Sequence, residues 1–169
     1  CHINIIEGKT KVKYLGATLD QTLSCESMAL SIIQKANARL KFLYRKRKYL
    51  TFTTKKLLVM SLIQCHFDYA CSFWFSCLSQ NLKNRLQTTQ NKLIRFVLSL
   101  DQMIHVGPEH FKFLNWLPVT KRVDQIILCH VFKIKSDIAP DYLGEFNLAS
   151  LFMAILLDFV IMVVIQFAG

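Results

Sequence analysis

The spacing of apolar residues changes near Ser24. Before it, INII (3–6) and KVKYLGATL (11–19) are β-branched and aromatic runs with EGKT between them, which predicts a short β-hairpin over residues 3–19. After it, Met28, Ile32, Ile33, Ala36, Leu40 and Leu43 recur three and four apart, one face of a helix with Ser24 as a candidate N-cap. TFTT (51–54) is the start signal of a second helix running through Lys55, Leu58 and Leu62. Ser79 opens a third, in which Leu82, Leu86, Thr89, Leu93, Phe96 and Leu100 step by four and three. Such an a/d stripe suits a packing seam within one chain, because three heptads are short for a coiled-coil dimer.

HVGPEHFKFLNWLPV (105–119) predicts a short helix bracketed by Pro108 and Pro118. A further amphipathic helix is expected from about Thr120 to Lys135, with Val123, Ile127, Val131 and Ile134 on one side, and SDIAPDYLG (136–144) reads as a loop. The last segment, 151–169, carries one charge, Asp158. Its Leu, Ile, Phe and Val residues, at about −0.3 to −0.6 kcal/mol each, outweigh about +3 kcal/mol for one central Asp, so a membrane span over 151–168 is energetically allowed. That segment is at the short end for a span and has no flanking Lys or Arg; a buried C-terminal helix or strand pair is the alternative.

Composition sharpens this picture. The chain has 169 residues, 53% hydrophobic and 19% charged, which suits one domain with a real core and excludes a disordered chain. Only 5 Gly and 3 Pro leave few breakers and favour long helices. The first residue is Cys1 rather than Met, and the expectation is a processed chain or a piece of a longer one. Six cysteines without a secretory signal point to reduced thiols. Charge is uneven: residues 1–136 hold all 21 Lys and Arg and seven acids, a balance of +14, while 137–169 hold four acids and no base. A body so basic suits a polyanion, nucleic acid before an anionic membrane surface, with a merely solvated basic surface as the plain alternative.

QCHFDYACSFWFSC (64–77) spaces Cys65, Cys71 and Cys77 six apart and raises the question of a metal site. Zinc needs its ligands about 2.0 to 2.3 Å from one point. Six residues of helix rise about 9 Å and turn a side chain through about 240°; six residues of strand separate the thiols by about 20 Å. Neither gathers them, and no C-x-x-C or H-x-x-x-H spacing occurs. The expected role is that of small core hydrophobes among aromatics. No Gly-rich phosphate loop, G-x-S-x-G or cysteine–histidine signature is present, and Asp20, Asp68 and Asp101 are scattered. No catalytic residue, metal or cofactor is assigned to this chain.

VKYLGATLD (12–20), ANARLKFL (36–43), KKLLVMSLIQCHFDYACSFW (55–74), QNKLIRFVLSL (90–100), LNWLPV (114–119) and VFKIKSDIAPDYL (131–143) in this order resemble one family. They are similar to the C-terminal part of reverse transcriptases of non-LTR (LINE-type, jockey-like) retrotransposons, over about residues 3–146. The resemblance implies an end-of-palm β segment over 1–21 and a thumb-like helical domain over 22–146; the hydrophobic tail, 147–169, lies beyond it. The expected fold class is mainly α: a short N-terminal β-hairpin, a thumb-like helical bundle and a hydrophobic C-terminal helix. The family's catalytic acids belong to a Tyr-x-Asp-Asp motif and an earlier Asp, neither of which this chain carries. What is implied is an RNA-directed DNA polymerase fragment that holds an RNA–DNA or DNA duplex by its backbone and packs against a missing palm domain, in nucleus or cytoplasm; the alternatives are a membrane-associated protein of unknown role with 151–168 as its single span, or a relic reading frame without function.

Thumb helices in this family contact phosphates, which matches the basic body read from composition. The candidate contacts are Lys35, Arg39, Arg45, Lys46, Arg47, Lys48, Lys55 and Lys56, then Lys92 and Arg95 in QNKLIRF, where Asn91 replaces one base of the family's run. Tyr44 and Tyr49, which bracket RKRK, are candidates for stacking on bases or sugars or for core packing. Gln64 and Cys65 stand where many members carry a proline turn, and the match stops after Phe146, as in a decayed or rearranged copy.

Overall fold

The computed structural model describes residues 11–14, 17–20, 25–136, 138 and 140. Two strands, β1 (Lys11–Tyr14) and β2 (Ala17–Asp20), pair antiparallel with Lys11 opposite Asp20 and Tyr14 opposite Ala17. Both come from the stretch expected to be one strand. Gly16 lies in the two-residue interval between them, and reversals of that length draw on glycine. The expected partner strand INII and the EGKT turn lie outside the described residues, as do Ser24 and the tail 147–169. No helix among the described residues is long and apolar enough to cross a membrane.

The rest is helical. α1 (Glu26–Arg45) buries Met28, Ile32, Ile33, Ala36, Leu40 and Leu43, the whole face read from the sequence. It starts at Cys25, which takes a left-handed conformation (φ 54°). α2 (Phe52–Val59) is capped by Thr51, whose hydroxyl accepts from the Thr54 N–H at 3.3 Å. The helix then widens into one π turn (Met60–Gln64) and tightens again as α3 (Cys65–Asp68). Buried residues here fall every fourth position: Val59, Ile63, Phe67 and Cys71. In a strict α-helix each step of four rotates a side chain about 40° off the previous one. The wider turn absorbs part of that drift and keeps the row facing inward.

Ala70 breaks the helix with φ 49°, and α4 (Cys71–Trp74) follows. The break explains the DYAC-x-x-W pattern. Trp74 is completely buried, and its indole N–H donates to the Tyr69 carbonyl at 2.8 Å, across the break. The Phe73 and Trp74 amides both donate to the Ala70 carbonyl, at 3.0 and 3.3 Å, so the chain restarts at once.

α5 (Gln80–Leu98) is the middle of the fold and packs against α1, α2 and α7 (Val119–Lys135). Of its expected stripe, Leu82, Leu86, Thr89, Leu93 and Phe96 are buried, as suits an intrachain seam, while Leu100 lies past the helix end and is half-buried; Gln90, Ile94 and Val97 form a second buried row beside it. Thr89, the polar member of the stripe, is satisfied within the helix by the Arg85 carbonyl at 2.9 Å. α6 (Pro108–Leu114) begins on Pro108, ends at Asn115 (φ 55°) and leads through Trp116 to Pro118 into α7. That link is tied to α5 twice: Gln90 donates to the Leu117 carbonyl at 2.8 Å, and the Val119 amide donates to Gln87 at 3.0 Å.

Ala70 is a non-glycine residue held in the left-handed region, where a Cβ is unfavourable. Ala70→Gly is expected to stabilise the protein by about 0.5 to 1 kcal/mol. Denaturant titration of the two forms checks this; an unchanged or lower midpoint for the variant refutes the account of the break.

Candidate nucleic-acid interface

The bases around the end of α1 take their positions from helix termination. Lys46 closes α1, its amide donating to the Leu43 carbonyl at 3.1 Å, and Arg47–Tyr49 form one 3-10 turn. Arg45, Lys46, Arg47 and Lys48 are all exposed, and among the described residues none is in an ion pair. Four cations with no local acid give this end of α1 a strong positive field, which the partial negative charge of the helix C-terminus offsets only in part. Tyr44, at the edge of the run, goes inward. Its ring meets Phe96 edge-on at 5.0 Å. Burial raises its phenol pKa, with the Arg47 and Arg95 charges pulling the other way. Tyr44 is thus a packing residue, whereas Tyr49 is 84% exposed.

Arg95 of α5 adjoins Phe96, whose ring meets Tyr44, and Lys92, exposed and one turn earlier, lies on the Arg95 face of α5. Arg95 is partly committed: its Nε donates to the Ile104 carbonyl at 2.9 Å and holds the loop after α5. Asn91 accepts from Gln87 at 3.0 Å.

Two candidates change role. Lys55 is 8% exposed, its ammonium donating to Ser99 Oγ at 2.6 Å and lying 5.9 Å from the centre of the Phe96 ring. Burial and these partners take it off the surface, so the expectation of a phosphate contact at Lys55 is corrected. Arg39 donates to the Leu62 carbonyl and meets His66 Nε2, joining α1 to the π turn and α3. These contacts engage Nη1 of its guanidinium. Lys35 is exposed one turn before Arg39, about 15 Å along α1 from Arg45. Lys56 is half-buried on α2.

Sequence reasoning missed Arg122. Its guanidinium grips Asp68 with two hydrogen bonds, Nε to Oδ1 at 3.2 Å and Nη2 to Oδ2 at 3.1 Å, tying α7 to α3. The hydrogen bond to Asp68 is the largest reason its pKa lies above the ordinary arginine value. No local spacing announces a pair 54 positions apart. Beside it a cleft of about 230 Å³ is lined by residues including Gln64, Gln90, Trp116 and Arg122.

The cysteine row behaves as core and rim. Cys71 is buried, while Cys65 and Cys77 are exposed and turn back on the Ser61 and Phe73 carbonyls. Among the described residues no three His, Cys, Asp or Glu side chains are grouped to hold a metal ion. Burial, and then the Asp68 charge, push the Cys71 thiol up to about 11, so it is neutral at physiological pH.

No protein-family model, curated protein or solved structure matches the chain.

Brief alkylation of the native protein at about pH 8, mapped by mass, is expected to modify Cys65, Cys77 and Cys129 and spare Cys71. Equal labelling of Cys71 contradicts its buried, protonated state. A pH effect also follows. Burial, and then Arg39 and Lys35, lower the His66 pKa, and burial and then Lys133 lower that of His130. A histidine whose folded pKa is depressed binds more protons when unfolded, so its stability contribution is complete above about pH 6.5 and is lost as pH falls below that value. Melting temperature is expected to drop between about pH 7.5 and about pH 5.5, and His66→Gln to flatten part of that slope. A slope identical in the variant rules out His66 as a contributor.

Proposed function

We propose that this chain is the thumb-side part of a non-LTR retrotransposon reverse transcriptase, which holds template–primer duplex by its phosphates and performs no catalysis itself. The observation that carries the reading is the exposed run Arg45, Lys46, Arg47 and Lys48 without acid partners among the described residues. A mainly helical body supports it, entered through β1 and β2, with β2 packed on α1. So does the placement of the quoted family segments. DYAC-x-x-W builds the α3–α4 break, and LNWLPV is the link that Gln87 and Gln90 fasten to α5. In this reading β1 and β2 belong to the edge of the missing palm and α1 to α7 form a thumb-like bundle, in nucleus or cytoplasm.

The chemistry is charge neutralisation without base readout. Each Lys or Arg on a phosphate releases about one counterion, so affinity falls steeply with salt. Binding to an RNA–DNA duplex, measured across a salt series, is expected to weaken linearly on logarithmic axes. The triple variant Lys46→Gln, Arg47→Gln, Lys48→Gln is expected to reduce that slope by about 2 to 3, while Lys55→Gln leaves it unchanged. Absence of binding at low salt, or affinity indifferent to salt, overturns the proposal.

A further inference from the structure

Two phenylalanines from distant parts of the chain meet on the surface. Phe52 opens α2 and Phe113 lies in the last turn of α6, and their rings touch edge-to-face with centroids 5.9 Å apart. They remain 44% and 70% exposed. Core pairing of this kind removes both rings from water; this pair keeps much of its ring surface exposed.

The surroundings are basic. Lys56 stands one turn after Phe52 on α2, Lys112 adjoins Phe113, and Lys48 and Tyr49 precede the cap of α2, with Lys48 and Lys112 exposed. The acid on the nearest turn, Glu109, folds back towards its own helix start. Its Oε1 lies 2.9 Å from His110 Nδ1, and its carboxylate covers Gly107. Aliphatic contact with another protein would not call for this combination of exposed rings and lysines. A strand of unpaired nucleotides would. Bases stack on aromatic faces regardless of sequence, while flanking cations follow the phosphates.

We propose that Phe52 and Phe113, with Lys48, Lys56 and Lys112, form a stacking site for single-stranded RNA or DNA. The site adjoins the phosphate-binding run at the end of α1, with Lys48 common to both. The inference rests on the proposed function, because it supplies the unpaired stretch of template that such a polymerase would handle beside the duplex.

The test uses the full chain and two labelled probes at one salt concentration: an oligouridylate of about 12 nucleotides and a blunt RNA–DNA duplex. Phe113→Ala and Phe113→Leu are each expected to weaken oligouridylate binding about tenfold. Phe113→Trp is expected to preserve or tighten it, and all three are expected to leave duplex affinity unchanged. The exposure of Phe113 makes these variants mild for folding, and circular dichroism verifies that. Loss with Phe113→Ala but full binding with Phe113→Leu means an apolar contact and overturns stacking. Intact oligouridylate binding in every variant overturns the site while the duplex reading stands. If neither probe binds the unaltered chain, both proposals fall.

Discussion

Two-sided burial of α5 is the constraint on which the other helices depend. Leu86, Leu93, Ile94 and Val97 are at most 1% exposed, so no side of their two adjoining rows meets water. A helix apolar on so wide an arc needs partners on both rows. α1 and α2 cover it from one part of the chain and α7 from another. At about 25 cal/mol per Å² of apolar area removed from water, such residues outweigh any single polar contact in the molecule.

Burial on that scale forces polar groups into the interior, and each needs a partner. Gln90, 1% exposed, answers the Leu117 carbonyl; Gln87 answers the Val119 amide. These bonds set where α7 begins, and Asp68 with Arg122 sets which side it presents to α3. Several bases are spent the same way: Lys55 on Ser99, Arg39 on Leu62 and His66, Arg95 on Ile104. The cations left at the end of α1 have no such employment among the described residues, and this difference separates scaffold from interface.

Aromatic residues sort by the same logic. Tyr44 and Trp74 have a buried ring partner or carbonyl within reach, and they pack. Tyr49, Phe52 and Phe113 sit where helices start and stop, beyond the arc that α5 covers, and they stay open to water. The duplex and single-strand proposals draw on these two unspent sets, cations and open rings.

Legibility follows distance along the chain. The buried faces of α1 and α5, the Thr51 cap and the Pro108 start are readable because helix period and capping are local properties of a few turns. The split of 11–20 into two strands escapes a sequence reading because the single Gly16 looks like part of a run. Lys55 is misplaced by its charge, which identifies it as surface, whereas its position on the buried side of α2 depends on where α5 ends. The row Val59, Ile63, Phe67 and Cys71 has a period that neither helix nor strand predicts, and the π turn accommodates it. By itself, then, the sequence determined which segments are helical, which faces turn inward and that the body is basic, since periodicity and charge are written residue by residue. Only the tertiary structure decided which bases are consumed, that Arg122 meets Asp68 and that Phe52 meets Phe113, because those pairings arise from how helices dock and no local spacing encodes them.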